Sequence, residues 1–153
     1  MSETGNANLS SLAKAMEPFN GAELTGVFQD PEKAERLRAE LAEIAAPDLI
    51  TVMVGSDAGG LSGTFAGLDG FLEGWRDFLD TFASFRNDLV DFVEADPDTI
   101  LILSRQRATT ATGGVKMDNE AGAVFSFEEG RLRRIEFHLD RESAAKAAGL
   151  EPS

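Results

Sequence analysis

The sequence predicts an α+β fold: a cone-shaped α+β barrel, in which a curved, largely antiparallel sheet wraps around N-terminal helices and one long helix. Three observations predict it. Apolar residues recur at helical spacing up to Phe82 and at alternate positions after it. The segments run in the order helices, short strand pair, long helix, then four long strands separated by turn signals, which is the order of an α+β domain. The chain has 153 residues, 42% of them hydrophobic and 11 of them Phe, enough for one domain with its own core.

Each element follows from local chemistry. Residues 1–8 are small and polar and read as a flexible tail, leaving a single domain over residues 9–150. Leu9, Leu12, Ala13 and Met16 share a helical face, and Pro18 ends that helix. Leu24, Val27 and Phe28 mark a short helical turn. Asp30-Pro31 is an N-cap followed by proline at the first helical position; it opens a helix with Ala34, Leu37, Leu41 and Ile44 on one face, stopped by Pro47-Asp48. Residues 49–54 form a short strand, residues 55–60 a glycine-rich turn and residues 62–65 a partner strand. Residues 67–82 form the long helix, with Leu68, Phe71, Leu72, Trp75, Phe78, Leu79 and Phe82 as its apolar stripe. The meander follows as strands over residues 85–94, 99–110, 115–127 and 132–139. Its turns are Asp96-Pro97-Asp98, a tight Gly113-Gly114 hairpin and a three-residue Glu128-Glu129-Gly130 loop. Asp140 caps a final helix over residues 141–148, ended by Gly149.

Charge and composition exclude several functions. Lys and Arg number 14 against 27 Asp and Glu, a formal net charge of −13, so no basic surface exists for nucleic acid or an anionic membrane. No apolar run is long enough to span a bilayer and residues 1–8 have no apolar signal core, so the expectation is a cytoplasmic protein. With no Cys there is no disulfide, thiol nucleophile or zinc-thiolate site; with no Tyr and one His, proton-transfer groups are scarce. Asp57, Gly59 and Gly60 make a turn rather than a phosphate or calcium loop, so no metal and no cofactor is expected.

Strand pairing places the candidate pocket. A three-residue loop after Phe127 puts Asn119, Ala121, Ala123 and Phe125 on one face with Arg133, Ile135, Phe137 and Leu139. A two-residue Gly113-Gly114 turn adds Ile102, Ser104, Gln106 and Ala108 to it and sets Arg107 opposite Glu120. This is the apolar face, so it turns toward the helices. Small residues there, opposite Phe71 and Trp75, leave room for a ligand; the alternative is that the aromatics fill the room. The pocket set is therefore Phe71, Trp75, Ser104, Gln106, Asn119, Ala123, Phe125, Ile135 and Phe137. Leu101, Leu103 and Val124 fall on the outer face, and a homodimer through that face is expected. His138 falls there by parity, as an interface or packed residue, and Asp140 is a helix cap.

Several stretches taken in order resemble a known family. They are Pro47-Asp48 before the first strand, residues 55–65 leading into Gly67 and the Phe71/Trp75 helix, Phe125-Ser126-Phe127-Glu128-Glu129-Gly130-Arg131-Leu132, and the tail His138-Leu139-Asp140-Arg141-Glu142-Ser143-Ala144-Ala145 with Ala148-Gly149-Leu150. Over about residues 30–150 the chain is similar to the SnoaL-like domains of the nuclear transport factor 2-like superfamily. Such a resemblance implies the cone fold and a range of functions: polyketide cyclases, ketosteroid isomerases, epoxide hydrolases, dehydratases and non-catalytic binding domains. The residues those enzymes use do not carry over. Ketosteroid isomerases place a general-base Asp in the first strand, but Thr51-Val52-Met53-Val54-Gly55-Ser56 has no acid; the second Asp falls near Ala123; and the Tyr of their oxyanion hole has no counterpart. Arg105-Gln106-Arg107 lacks the Arg-x-Asp spacing of the epoxide hydrolases. For a polyketide cyclase the nearest base and helper are Asp140 and His138, loosely spaced. The expected function is a small-molecule binding domain with an apolar cone pocket. The alternatives are a cyclase-, isomerase- or hydrolase-like enzyme acting on a hydrophobic ring compound, and a non-catalytic homodimeric interaction domain.

Overall fold

The computed structural model describes residues 3–54, 63–96, 98–138 and 140–149, without the side chains of residues 3–7, Pro18, Ala22 and Val54. The expected turn at 55–60 with Asp57, and residues Ser62, Pro97, Leu139 and Leu150, lie outside the described residues.

Among the described residues five helices and seven strands follow in chain order: α1 (Glu3–Ala15), a 3-10 turn (Glu17–Phe19), β1 (Ala22–Glu23), α2 (Leu24–Gln29), α3 (Pro31–Ala42), β2 (Ala45–Val54), β3 (Gly63–Ala66), α4 (Gly67–Leu79), β4 (Phe82–Asp96), β5 (Thr99–Thr110), β6 (Lys116–Glu128), β7 (Arg131–His138) and α5 (Arg141–Ala147). Helix α1 begins at Glu3 rather than Leu9, and Asn8 is buried and donates to Asp98, so the segment expected to fray is helical. Asp30 caps α3 by accepting from the Glu32 and Lys33 N–H groups, and Pro31 fills the first position. Asp140 caps α5 from the Ser143 N–H at 2.9 Å and hydroxyl at 2.7 Å. The Ser143 hydroxyl and N–H hold the Asp140 carboxyl below its ordinary value. Glu23 caps α2 and also accepts from the Phe85 N–H at 2.7 Å, tying that helix to β4.

The seven strands form one curved, unclosed sheet in the order β1-β4-β5-β6-β7-β2-β3. All neighbours are antiparallel except β2 and β7, which run parallel. Helices α1 to α4 fill the concave face, with Leu12, Phe19, Leu37, Phe71, Trp75, Ile102, Phe125 and Ile135 in one continuous core. Curvature comes from irregularities: the β4–β5 ladder shifts register three times, between Phe82/Ser84, Leu89/Asp91 and Glu94/Asp96. Pro47 does not stop α3, which ends at Ala42. It lies inside β2, where the β2–β7 ladder shifts between Ala45 and Ile50, because proline has no N–H to give.

Two hairpins differ from expectation. Glu128 pairs with Arg131, so the last loop is the two-residue Glu129-Gly130, both at positive φ (53° and 78°). The count is restored by a bulge: Phe127 pairs with Leu132 and Ser126 with Arg134. Arg133 is the extra residue and bridges Asp48 and Glu128, each at 2.7 Å, instead of joining the pocket face. At the β5–β6 turn, Thr110 N donates to the Val115 carbonyl, closing a four-residue loop rather than the two-residue one. This moves the register by two, so Arg107 faces Asp118, not Glu120. An even shift preserves which face each residue occupies.

Helix α5 lies on the convex face. Ala144 and Ala148 pack against Leu101, Leu103 and Val124 in a second apolar cluster. These are the residues whose uncovered surface motivated the expected homodimer; a helix of the same chain covers them, so that motive is removed. No helix among the described residues is long and apolar enough to cross a membrane.

Candidate functional site

The site lies between α4 and the concave faces of β4 to β7. Helix α4 is set by Gly67 at φ +72°, and by Gly70 and Gly74 one turn apart, where an added Cβ would press on Phe65 at 3.1 and 2.9 Å. The close approach of β3 to α4 fixes the helix over the sheet and delivers Trp75 to the centre of the cone. Trp75 is surrounded by rings, with centroids of Phe137 at 4.9 Å, Phe19 at 5.6 Å and Phe78 at 5.7 Å. These offset and edge arrangements are the favoured aromatic geometries.

An internal cavity opens beside this cluster. Its volume is about 50 Å³, counted as space for the centre of a water-sized sphere. Its apolar walls are Met16, Phe19, Met53, Trp75, Phe78, Leu89, Ile102, Ala121, Ala123, Phe125 and Phe137; its polar lining is Asn87, Ser104 and Gln106, with Gly122 and His138 at one end.

Of the pocket residues expected from sequence, the structure brings together Trp75, Ser104, Gln106, Ala123, Phe125 and Phe137. Three do not line the cavity. Phe71 and Ile135 are wholly buried in the surrounding core, Phe71 against Phe19 and Phe137. Asn119 pairs across from Gln106 but one step further toward the hairpin end. Sequence reasoning missed Asn87, which is 4% exposed. It donates to the Phe19 carbonyl at 2.9 Å and accepts from Gln106 Nε2 at 3.3 Å, a chain that joins the 3-10 turn to β4 and β5. The available signal was an Asn in the middle of a strand, a position that polar amides occupy when they have buried partners. Met16 and Phe19 were also missed as lining, since they reach the cavity from the N-terminal segment.

The chemistry of the lining is neutral. Among the described residues no Asp or Glu lines the cavity, and no three acidic or His side chains gather as a metal site. His138 is the one titratable residue there. Its strand partner is Gly122, and a Cβ built on Gly122 points at Ala144 of α5. Cross-strand partners share a face, so the imidazole is turned to the α5 side, where Nε2 lies 3.3 Å from Glu136 Oε1. Met53, from the β2 stretch that holds no acid, and Ala123 both line the cavity as apolar groups. Among the described lining residues two buried side-chain nitrogens have no partner: Trp75 Nε1, and Nδ1 of the His138 ring that turns to the α5 side.

A curved mixed sheet closed by helices over an internal cavity is the cone architecture of the nuclear transport factor 2-like proteins. Residues 27–135 match the model of the SnoaL-like domain, and the chain belongs to that family. A comparison with curated proteins finds no match. Among solved structures, the chain is similar to a protein from Jannaschia sp. CCS1 assigned as a SnoaL-like polyketide cyclase (TM-score 0.67, 12% identity, covering 99% of this chain and 98% of that one). It is similar to an NTF2-like protein of unknown function from Burkholderia pseudomallei K96243 (TM-score 0.65, 23% identity, 100% of both chains). It is also similar to TerC co-crystallised with polyporic acid (TM-score 0.64, 16% identity, 94% of this chain and 98% of that one). At these identities the likeness is one of fold.

Proposed function

We propose that the protein is a small-molecule binding domain whose cone takes a flat, mostly apolar ring compound, held by neutral hydrogen bonds rather than by charge. The observation that carries this reading is the lining: aromatic and aliphatic walls, three neutral polar side chains, no carboxylate among the described residues, and one titratable residue, His138, whose ring turns to the α5 side. A proton-transfer enzyme needs a group that can gain and lose a proton near neutrality. Asn, Gln, Ser and Trp orient a ligand but do not serve as such a base. Met16 and Met53 are the adaptable part of the wall, and rotation of their side chains would enlarge a cavity of about 50 Å³ to admit a ring. The co-crystal of TerC with polyporic acid supplies a ring compound to try as a first probe.

The test uses the single tryptophan. Trp75 is the chain's one Trp and there is no Tyr, so intrinsic fluorescence reports the cavity directly. Titration with a panel of neutral aryl ketones should change Trp75 emission saturably, and polyporic acid should do so less readily when ionised than when protonated. Ala123→Phe should abolish the response while the fold is kept. A folded Ala123→Phe variant with unaltered binding overturns the cavity as the site. If the variant unfolds, at a cost beyond the ~1–3 kcal/mol of ordinary overpacking, the cone is packed shut and the interaction-domain reading replaces this one.

A further inference from the structure

The unpartnered indole N–H of Trp75 defines what the ligand must carry. Trp75 is 4% exposed, lines the cavity, and its Nε1 has no hydrogen-bond partner. A buried donor without a partner costs about 1–3 kcal/mol. The ring neighbours Phe137, Phe19 and Phe78 offer at most N–H···π contact, which is weak. The other cavity amides are engaged differently. Asn87 spends a donor on the Phe19 carbonyl and its oxygen on Gln106. Among the described lining residues two carry a buried side-chain nitrogen without a partner, Trp75 Nε1 and His138 Nδ1; the His138 ring turns to the α5 side, so the group set among the cavity's rings is the indole N–H, which has no acceptor character.

We propose that Trp75 Nε1–H donates to a neutral acceptor oxygen of the ligand, so that the cavity selects a ring ketone or quinone over the corresponding hydrocarbon. This rests on the cavity being the binding site. The discrimination arises because only the carbonyl compound satisfies the indole; the hydrocarbon buries the same apolar area and leaves the donor unpaired. A site built around a buried hydrogen-bonding group rejects the analogue lacking the partner more strongly than an apolar wall rejects a missing methylene.

The experiment uses the full chain labelled with nitrogen-15, in which the lone Trp gives one indole N–H resonance. It is titrated with 1-indanone and with indane, which share a ring frame and differ by the carbonyl. The expected result is tighter binding of 1-indanone by about tenfold, as loss of one such partner implies, with a downfield shift of the indole proton caused by 1-indanone and not by indane. Trp75→Phe keeps an aromatic ring and removes the N–H. In that variant the preference, read by calorimetry as the ratio of the two affinities, should fall to within about twofold whatever the change in absolute affinity. Equal binding of both probes to the wild type, or a preference that survives Trp75→Phe, overturns the indole as the selector and leaves the cavity as a site. Binding of neither probe to the wild type overturns both readings. Should Trp75→Phe fail to fold, the wild-type affinity ratio and the indole shift decide the matter alone.

Discussion

Gly122→Ala tests how the convex face is closed. Gly122 lies mid-strand in β6, opposite His138, and a Cβ built on it sits 2.5 Å from the Ala144 Cβ of α5. Ordinary contact begins near 3.4 Å, so the added methyl forces α5 and β6 apart by roughly 1 Å. Helix α5 is held to the sheet by Ala144 and Ala148 on Leu101, Leu103 and Val124, and a gap of ~0.5–1 Å already forfeits a quarter to a half of each contact's dispersion energy. Overpacking of this kind costs about 1–3 kcal/mol. Neither residue of the pair is charged and neither lines a hydrogen bond, so the penalty is steric and must be reciprocal. Removing the Ala144 methyl should therefore relieve it. Ala144→Gly alone costs about 1 kcal/mol through helix propensity, but Gly122→Ala should cost less in that background, with a coupling of at least ~1 kcal/mol. Urea denaturation followed by Trp75 emission gives the four stabilities of the cycle, and hydrogen exchange of the α5 amides gives the local loosening. A Gly122→Ala variant within ~0.5 kcal/mol of wild type, or strictly additive effects, would show that α5 does not press on β6 at this point.

Two further outcomes are expected. Asn87→Leu leaves the Phe19 carbonyl and Gln106 Nε2 without their partner and should cost about 1–3 kcal/mol in thermal unfolding; an unchanged melting temperature would refute the Asn87 link between the N-terminal turn and the sheet. Burial pushes the Glu23 carboxyl up, but bonds from the Thr25 hydroxyl and the Phe85, Gly26 and Thr25 N–H groups outweigh it and hold it below its ordinary 4.5. A carboxyl lowered on folding contributes stability present above its unfolded value and lost as pH falls through its folded one. The stability advantage of wild type over Glu23→Gln should thus be full at neutral pH and shrink below about pH 4.5, as measured by denaturation at stepped pH; a constant difference would refute the assignment.

How much of this was legible depends on what each feature needs from the chain. Strand β5 follows from alternation within residues 99–110 and from turn residues at its ends, and it is observed as Thr99–Thr110. Asp30 and Asp140 cap the helices they were expected to cap, since a cap is decided within four residues. The facing of Ser104, Gln106 and Ala123 held although the loop at Gly113-Gly114 was wrong by two residues, since only parity decides a face. Asn87 and Leu89 were not legible because β4 is bulged: Val90 is the extra residue between Leu89 and Asp91, 61% exposed, and a period-two reading across it misassigns one side. Phe71 and Trp75 occupy one stripe of α4, yet only Trp75 reaches the cavity, because depth along the cone axis is set by how α4 docks on β3, a tertiary distance. The docking of α5 left a trace that was not used: a glycine inside a strand marks a place where another backbone comes close, and Gly122 is that place.

The polar inventory of the cone also narrows its ligand by charge. The chain carries a formal net charge of −13, and among the described residues none of the acids lines the cavity. An anionic ligand would approach against that field and meet no Lys or Arg in the lining to repay its desolvation. A cation would find the field favourable but no carboxylate to pair with once buried. A neutral molecule pays neither cost, and its oxygen can meet a buried lining donor that the fold leaves unmatched, Trp75 Nε1. Met53 and Ala123 are apolar parts of that wall: either side chain exchanged for a carboxylate would bury a charge there, raising its pKa and adding a group able to move a proton. On the proposed reading, the uncharged wall is what suits the cone to a neutral molecule, and a carboxylate at either position would weaken that preference while leaving the sheet and the helix around it.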